Sequence, residues 1–159
     1  MKKRVYLETS VVSYFTASPS RDILVAGHQE ATHEIWPELE TKFNTFISAL
    51  VYEEAGKGDP AQAKARLAAI RPFPMLEIHQ EAEALAEHVI ADGGIPSKFP
   101  EDALHIAVAA AHGIDIVLTW NIRHLNNPFS RKRVRGIVKN HGYVCPEICS
   151  PEELLEAES

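Results

Sequence analysis

The sequence predicts an α/β fold: a helix-rich, three-layer sandwich around a mainly parallel central sheet. Two observations carry this. Short strand-like runs alternate with helical patterns from end to end. The stretch 100–111, PEDALHIAVAAA, is apolar nearly all round and therefore belongs against a sheet, not on the surface. Gly113 stops that helix, and DIVLT after it is a β-branched run suited to a strand covered on both faces. Helices outnumber strands, and extra helices are expected between the first two strands.

In order, KRVYLE alternates Val5 and Leu7 against Tyr6 and Glu8 and reads as a first strand ending in a carboxylate. Thr9 or Ser10 is expected to cap a short helix carrying Val11, Val12, Tyr14 and Phe15. Ser20 is expected to cap a longer helix over residues 21–40, bent or interrupted near Pro37. TKFNTFIS is a second strand that runs directly into the helix SALVYEEAGKG. Asp59-Pro60 pairs a cap with proline at the first helical position and opens AQAKARLAAI. PMLEI is a short third strand, EAEALAEHVIADGG an amphipathic helix with a glycine stop, and IPSKFP a loop. After DIVLT come irregular turns, a basic helix through Lys139, a last strand YVCPEIC and an acidic tail PEELLEAES.

A length of 159 residues suits one domain over 1–159, large enough for its own core. The net charge of −6 argues against a chain that grips nucleic acid over its whole surface. The charge is uneven, however. No acid lies between Asp115 and Glu147, whereas Arg123, Arg131, Lys132, Arg133, Arg135 and Lys139 do. Such a run is by default a solvated helix face, and a local basic face for a phosphate backbone is the functional alternative. No apolar run approaches the roughly 18 residues of a membrane span, and no signal-like segment opens the chain, so a cytoplasmic protein is expected. Cys145 and Cys149 in CPEIC lack a zinc or redox spacing and are expected as two reduced thiols.

Four polar positions share a pattern. Glu8 ends the first strand, Glu53 and Glu54 lie on the helix after the second, Asp102 starts the buried helix, and Asn121 follows the fourth strand. In a parallel sheet the carboxyl ends of strands face the ligand crevice. If the first and fourth strands are neighbours, these groups meet there. Crowded carboxylates repel unless a cation neutralises them, and oxygen donors favour a hard ion such as Mg²⁺ or Mn²⁺. Each member also has a plainer reading. An acid in a first helical turn gains roughly 0.3–1 kcal/mol from the macrodipole alone. Glu8 suits a solvated strand end, and Asn121 a turn. His105 and His124 read as packed histidines, and Trp36 and Trp120 as packing residues.

The segments YLETSVVSYF, FISALVYEE, EDALHIAVAAAHGIDIVLTWN and RHL resemble the successive motifs of PIN-domain proteins, in particular the VapC toxins. The resemblance covers nearly the whole chain. It implies a metal site on Glu8, Glu54 and Asp102, with Asn121 completing the catalytic set and Thr119 supporting it. Glu54 is preferred to Glu53 because it keeps the family's spacing from Ser48. The resemblance further implies Mg²⁺- or Mn²⁺-dependent RNA hydrolysis, a small antitoxin partner and homodimers. A hairpin of amphipathic helices over residues 61–90 is the surface expected to pair. Arg123, Arg131, Lys132, Arg133 and Arg135 are the expected contacts to RNA.

Two departures leave a second reading open. The family's first acid is usually Asp, and its fourth position is often Asp. Glu8 and Asn121 therefore suit either a ribonuclease or a weakly active or inactive module that binds RNA or protein. A small phosphohydrolase fits less well, because no D-x-D follows the first strand and no glycine-rich phosphate loop exists.

Overall fold

The computed structural model describes residues 1–158. Its strands are β1 (Arg4–Leu7), β2 (Asn44–Ser48), β3 (Met75–Leu76), β4 (Ile116–Leu118) and β5 (Glu147–Cys149). Its helices are α1 (Thr9–Thr16), α2 (Ile23–Thr41), α3 (Ala49–Ala55), α4 (Pro60–Ile70), α5 (Gln80–Ala91), α6 (Pro100–Ala111), α7 (Pro128–Asn140) and α8 (Pro151–Glu158). The five strands pair in parallel in the order β3-β2-β1-β4-β5. This is the helix-rich parallel α/β sandwich that the alternating pattern predicts.

The strands are shorter than the apolar runs that announce them. PMLEI contributes two residues at the sheet edge, and YVCPEIC pairs only after Pro146, which has no N–H to give a ladder. The second helix is capped by Asp22, not Ser20, because the Asp22 carboxylate accepts the N–H groups of Leu24 and Val25. It runs on through Pro37 without interruption to Thr41. The acidic tail is a helix. Ser150 and Glu153 form a reciprocal capping box, at 3.1 Å from the Glu153 N–H to Ser150 Oγ and 3.0 Å from the Ser150 N–H to Glu153 Oε1. Ser159 of that tail lies outside the described residues.

Right-handed crossovers decide the layers. Moving outward from β1 through β2 to β3 places α1 to α4 on one face. The chain then turns back across the sheet to β4 and β5, which places α5, α6 and α7 on the other. Accordingly α4 packs on α1 and α3, whereas α5 packs on α6 and α7. The expected hairpin over residues 61–90 does not form, because β3 separates its two helices and reverses the direction of the chain. α8 returns to lie on α2.

Val5, Tyr6 and Leu7 of β1 and the whole of β4 are buried, as central strands covered on both faces must be. β1 and β4 are adjacent, with Leu7 beside Leu118, and the chain leaves them in opposite directions. That is a topological switch point, and its crevice opens beyond Leu7 and Leu118. Trp36 stacks on Phe15, and Trp120 is anchored by its indole N–H to Thr32 Oγ1 at 2.7 Å; both are buried packing residues. Cys145 and Cys149 are free thiols, pushed by burial up to about 11 and about 12 respectively, and so are protonated at neutral pH. Among the described residues no helix is long and apolar enough to cross a membrane.

Candidate active site

Glu8 is the first residue past β1 and is only 6% exposed. It, not Thr9 or Ser10, caps α1, its Oε2 accepting the Ser10 N–H at 3.1 Å. Its Oε1 accepts from the Ser10 hydroxyl and from Thr119 Oγ1, the latter at 2.6 Å. Ser10 Oγ in turn accepts the Trp120 N–H at 2.8 Å, so the start of α1 is tied to the end of β4. Thr119 is thus a hydrogen-bond donor to the acid on the neighbouring strand. It also accepts the Asn121 N–H at 2.9 Å.

The two glutamates on α3 part ways, as neighbours on a helix must. Glu53 is exposed and lies 3.8 Å from Lys57 Nζ. Glu54 turns inward, where its Oε1 accepts from Thr9 Oγ1 and lies 2.8 Å from His105 Nε2. Burial pushes its carboxyl up, but the His105 hydrogen bond and charge, with help from Thr9 and Lys57, hold it below the ordinary value.

His105 lies one turn beyond Asp102 on α6 and is 1% exposed. Burial disfavours its charged form; the hydrogen bond to Glu54 and the charges of Glu8, Glu54 and Asp102 outweigh that and raise its pKa. A doubly protonated ring donates from Nε2 to Glu54 and from Nδ1 to the Tyr6 hydroxyl at 2.6 Å. Tyr6 then donates to Ser48 Oγ at 2.8 Å, and Ser48 Oγ accepts the Val51 N–H that it caps at the start of α3. Burial pushes the Tyr6 hydroxyl well above its ordinary pKa, so it stays a neutral relay.

Asp102 is half-buried, and burial raises its pKa against the hydrogen bond from the Asn121 side chain. The nearby charge of Glu8 raises it further, opposed by His105 and His124. Its Oδ2 lies 3.1 Å from His124 Nδ1, and Asn121 Oδ1 accepts the His124 N–H at 3.1 Å. Asn121 therefore holds the backbone of the histidine that touches the acid.

Among the described residues, Glu8, Glu54 and His105 bring possible ligand atoms within 4.8 Å of one another. Asp102 stands beside this group, joined to Asn121 and His124. The carboxylate oxygens of Glu8 and Glu54, with Asp102 nearby, are a donor set that fits a hard divalent cation. His105, its pKa raised against burial by Glu54, Glu8 and Asp102, is the basic group that faces these carboxylates within the protein itself.

The basic segment is divided. Arg131 Nη1 is 3.2 Å from Glu153 and also bonds Asn126 and the Ile148 carbonyl, and Arg135 is 3.3 Å from Glu147. Arg123, Lys132 and Arg133 are exposed, with no ion pair among the described residues.

His105 is the packed, hydrogen-bonded histidine that the sequence reading expects, and what that reading leaves out is that the partners of His105 and His124 are the carboxylates. The signal was present: Asp102 and His105 are three apart and share a helix face. Tyr6 and Glu8 are two apart and share a strand face, which turns both toward α6.

The PIN domain family profile matches residues 5–129. A search of curated proteins finds no match. Among solved structures, VapBC2 from Rickettsia felis, bound to a DNA fragment from its promoter, superposes with a TM-score of 0.60 at 13% identity, over 92% of this chain and 98% of that one. VapC20 of Mycobacterium tuberculosis, described as a sarcin-ricin loop cleaving toxin, superposes with a TM-score of 0.56 at 16% identity, over 88% of this chain and 96% of that one. At these identities the two structures establish a shared VapC-like fold. With the match running from β1 into the start of α7, the chain belongs to the PIN domain family.

Proposed function

We propose that residues 1–159 act as one PIN-like domain, a metal-dependent endoribonuclease that hydrolyses RNA phosphodiesters and serves as the toxin of a toxin–antitoxin pair. The observation that carries this is the meeting of Glu8 and Glu54, with Asp102 beside them, at the β1–β4 switch point. Membership of the PIN family and the description of VapC20 as a sarcin-ricin loop cleaving toxin support the same reading.

Glu8, Glu54 and Asp102 would hold Mg²⁺ or Mn²⁺. A bound divalent ion supplies Lewis-acid stabilisation of the charge that develops on a phosphodiester under attack. The chain's own residues set the stage for that chemistry. Ser10 and Thr119 orient Glu8, Thr9 and His105 orient Glu54, and His124, held in turn by Asn121, orients Asp102. Arg123, Lys132 and Arg133 attract the RNA backbone; Arg131 and Arg135 contribute to the same field while paired with acids. A small antitoxin protein, a second copy of the chain and a cytoplasmic setting complete the reading.

Purified protein should cut single-stranded RNA with Mg²⁺ or Mn²⁺ and stop when EDTA is added. Glu54→Gln should lose most of the rate and still bind RNA. One observation favours the alternative, a binding module without catalysis: both oxygens of Glu8 and Oε1 of Glu54 already accept internal hydrogen bonds. RNA binding with no cleavage in either metal would decide for that module.

A further inference from the structure

Helix α6 begins against a local rule. α1, α2, α3, α4 and α7 each start behind a side chain that accepts a backbone N–H, whereas α5 starts behind His79 and α6 behind Phe99, neither of which makes a side-chain cap. Phe99 alone of these residues has no polar side-chain atom to offer. Replacing a capping side chain by an apolar one costs about 1 kcal/mol, so an aromatic ring in this place is locally unfavourable. The ring is also 37% exposed. Residues that break a local preference concentrate at functional sites.

The surroundings of Phe99 are specific. Its ring lies on the imidazole of His124, with centroids 3.9 Å apart at 30°. The same imidazole contacts Asp102 through Nδ1 at 3.1 Å, and the Asp102 N–H bonds the Phe99 carbonyl at 3.2 Å. Phe99, His124 and Asp102 are therefore one closed unit at the edge of the carboxylate group. Lys98 and Arg123, the chain neighbours of the two rings, are exposed and without an ion pair among the described residues.

An aromatic face braced at a carboxylate site and flanked by cations has the chemistry of a nucleobase platform. Bases stack on such rings whatever their identity, and the cations meet the adjoining phosphates. We propose that Phe99, braced by His124, is a stacking subsite for one unpaired base of the RNA, next to the carboxylates. It rests on the RNA-cleaving reading. A base must be unstacked to use it, so loops and single strands are preferred to duplex. Removing a base–aromatic stack costs about five- to a hundredfold in affinity.

The test uses Phe99→Leu, which keeps an apolar side chain but removes the π face, and Phe99→Trp, which keeps the face. Phe99→Leu should raise KM for a single-stranded RNA at least about fivefold, with a smaller change in kcat, and Phe99→Trp should restore KM. Trp36 and Trp120 are buried, so the new indole also gives a separate binding signal. Its fluorescence, taken as the difference from wild type, should be quenched by a short single-stranded oligoribonucleotide and not by an abasic oligomer of the same length. Equal KM in wild type and Phe99→Leu, or equal quenching by the abasic oligomer, overturns the subsite while leaving cleavage intact. Quenching by the base-bearing oligomer alone, in a protein that cuts nothing, supports the subsite and removes only the nuclease reading.

Discussion

His105 Nε2 lies 2.8 Å from Glu54 Oε1, although the two residues come from helices in opposite layers of the sheet. The contact bridges the C-terminal edge of the sheet. It couples the charge of the carboxylate group to the protonation of a buried imidazole.

That proton gives the ligand-free protein a defined pH response. His105 has its pKa raised above the ordinary 6.5, so its contribution to stability is full below about pH 6.5 and is lost as pH rises through the raised value. Asp102, also raised, acts in the same direction: its contribution is full below its ordinary 3.8 and is lost as pH rises through its folded value. Glu54 is depressed, so its contribution is present above 4.5 and is lost as pH falls through its lower folded value. In EDTA, the urea midpoint should decline as pH rises above about 6.5, and His105→Gln should flatten that decline. The same slope in the variant would remove His105 as its source.

Divalent ions should raise the melting temperature, because they bind the folded carboxylate group and not the unfolded chain. Asp102→Asn should shrink the Mn²⁺-dependent rise. Without metal it should be neutral or stabilising, since burial already disfavours the Asp102 charge. An undiminished Mn²⁺ rise in Asp102→Asn would take this residue out of the ion site.

Glu8→Asp tests the longer first acid directly. Glu8 already reaches Thr119 at 2.6 Å and the Ser10 hydroxyl, so the extra methylene is accommodated. Shortening it should withdraw the carboxylate from Thr119, lowering both the Mn²⁺-dependent rise and the cleavage rate. Faster cleavage by Glu8→Asp would mean instead that the longer side chain displaces the ion.

The basic helix should act through its unpaired cations. Neutralising Lys132 and Arg133 together should flatten the salt dependence of single-stranded RNA affinity by about 1.4, at about 0.7 per phosphate contact. Neutralising Arg131 and Arg135 should change that slope less and lower the melting temperature more, because they bond Glu153 and Glu147. A slope unmoved by the first pair would return the segment to an ordinary solvated face.

Away from the carboxylates, Thr32→Val should cost about 1–3 kcal/mol by urea unfolding, because it leaves the buried Trp120 indole N–H without its acceptor. A cost within error of zero would mean that the indole finds another partner.

The sequence by itself determined the layer architecture. Alternating strand and helix periods demand a covered parallel sheet, and an all-apolar α6 demands burial beneath it. It also placed Glu8, Asp102 and Asn121 at element ends, since these follow from where elements stop, whereas the choice of Glu54 over Glu53 came from the resemblance to the PIN family and not from helix periodicity. What only the tertiary structure decided was partnership. The 61–90 helices lie in different layers because the crossover direction reverses at β3, which no local pattern encodes. Ser20 yielded its cap to Asp22, and Arg131 and Arg135 were claimed by Glu153 and Glu147, through competition among groups that meet only once the chain is folded. His105 shows the same limit. Its place on an apolar helix foretold burial, but its charge and its partners, Glu54 and Tyr6, come from residues 51 and 99 positions away, brought within hydrogen-bond reach by the sheet.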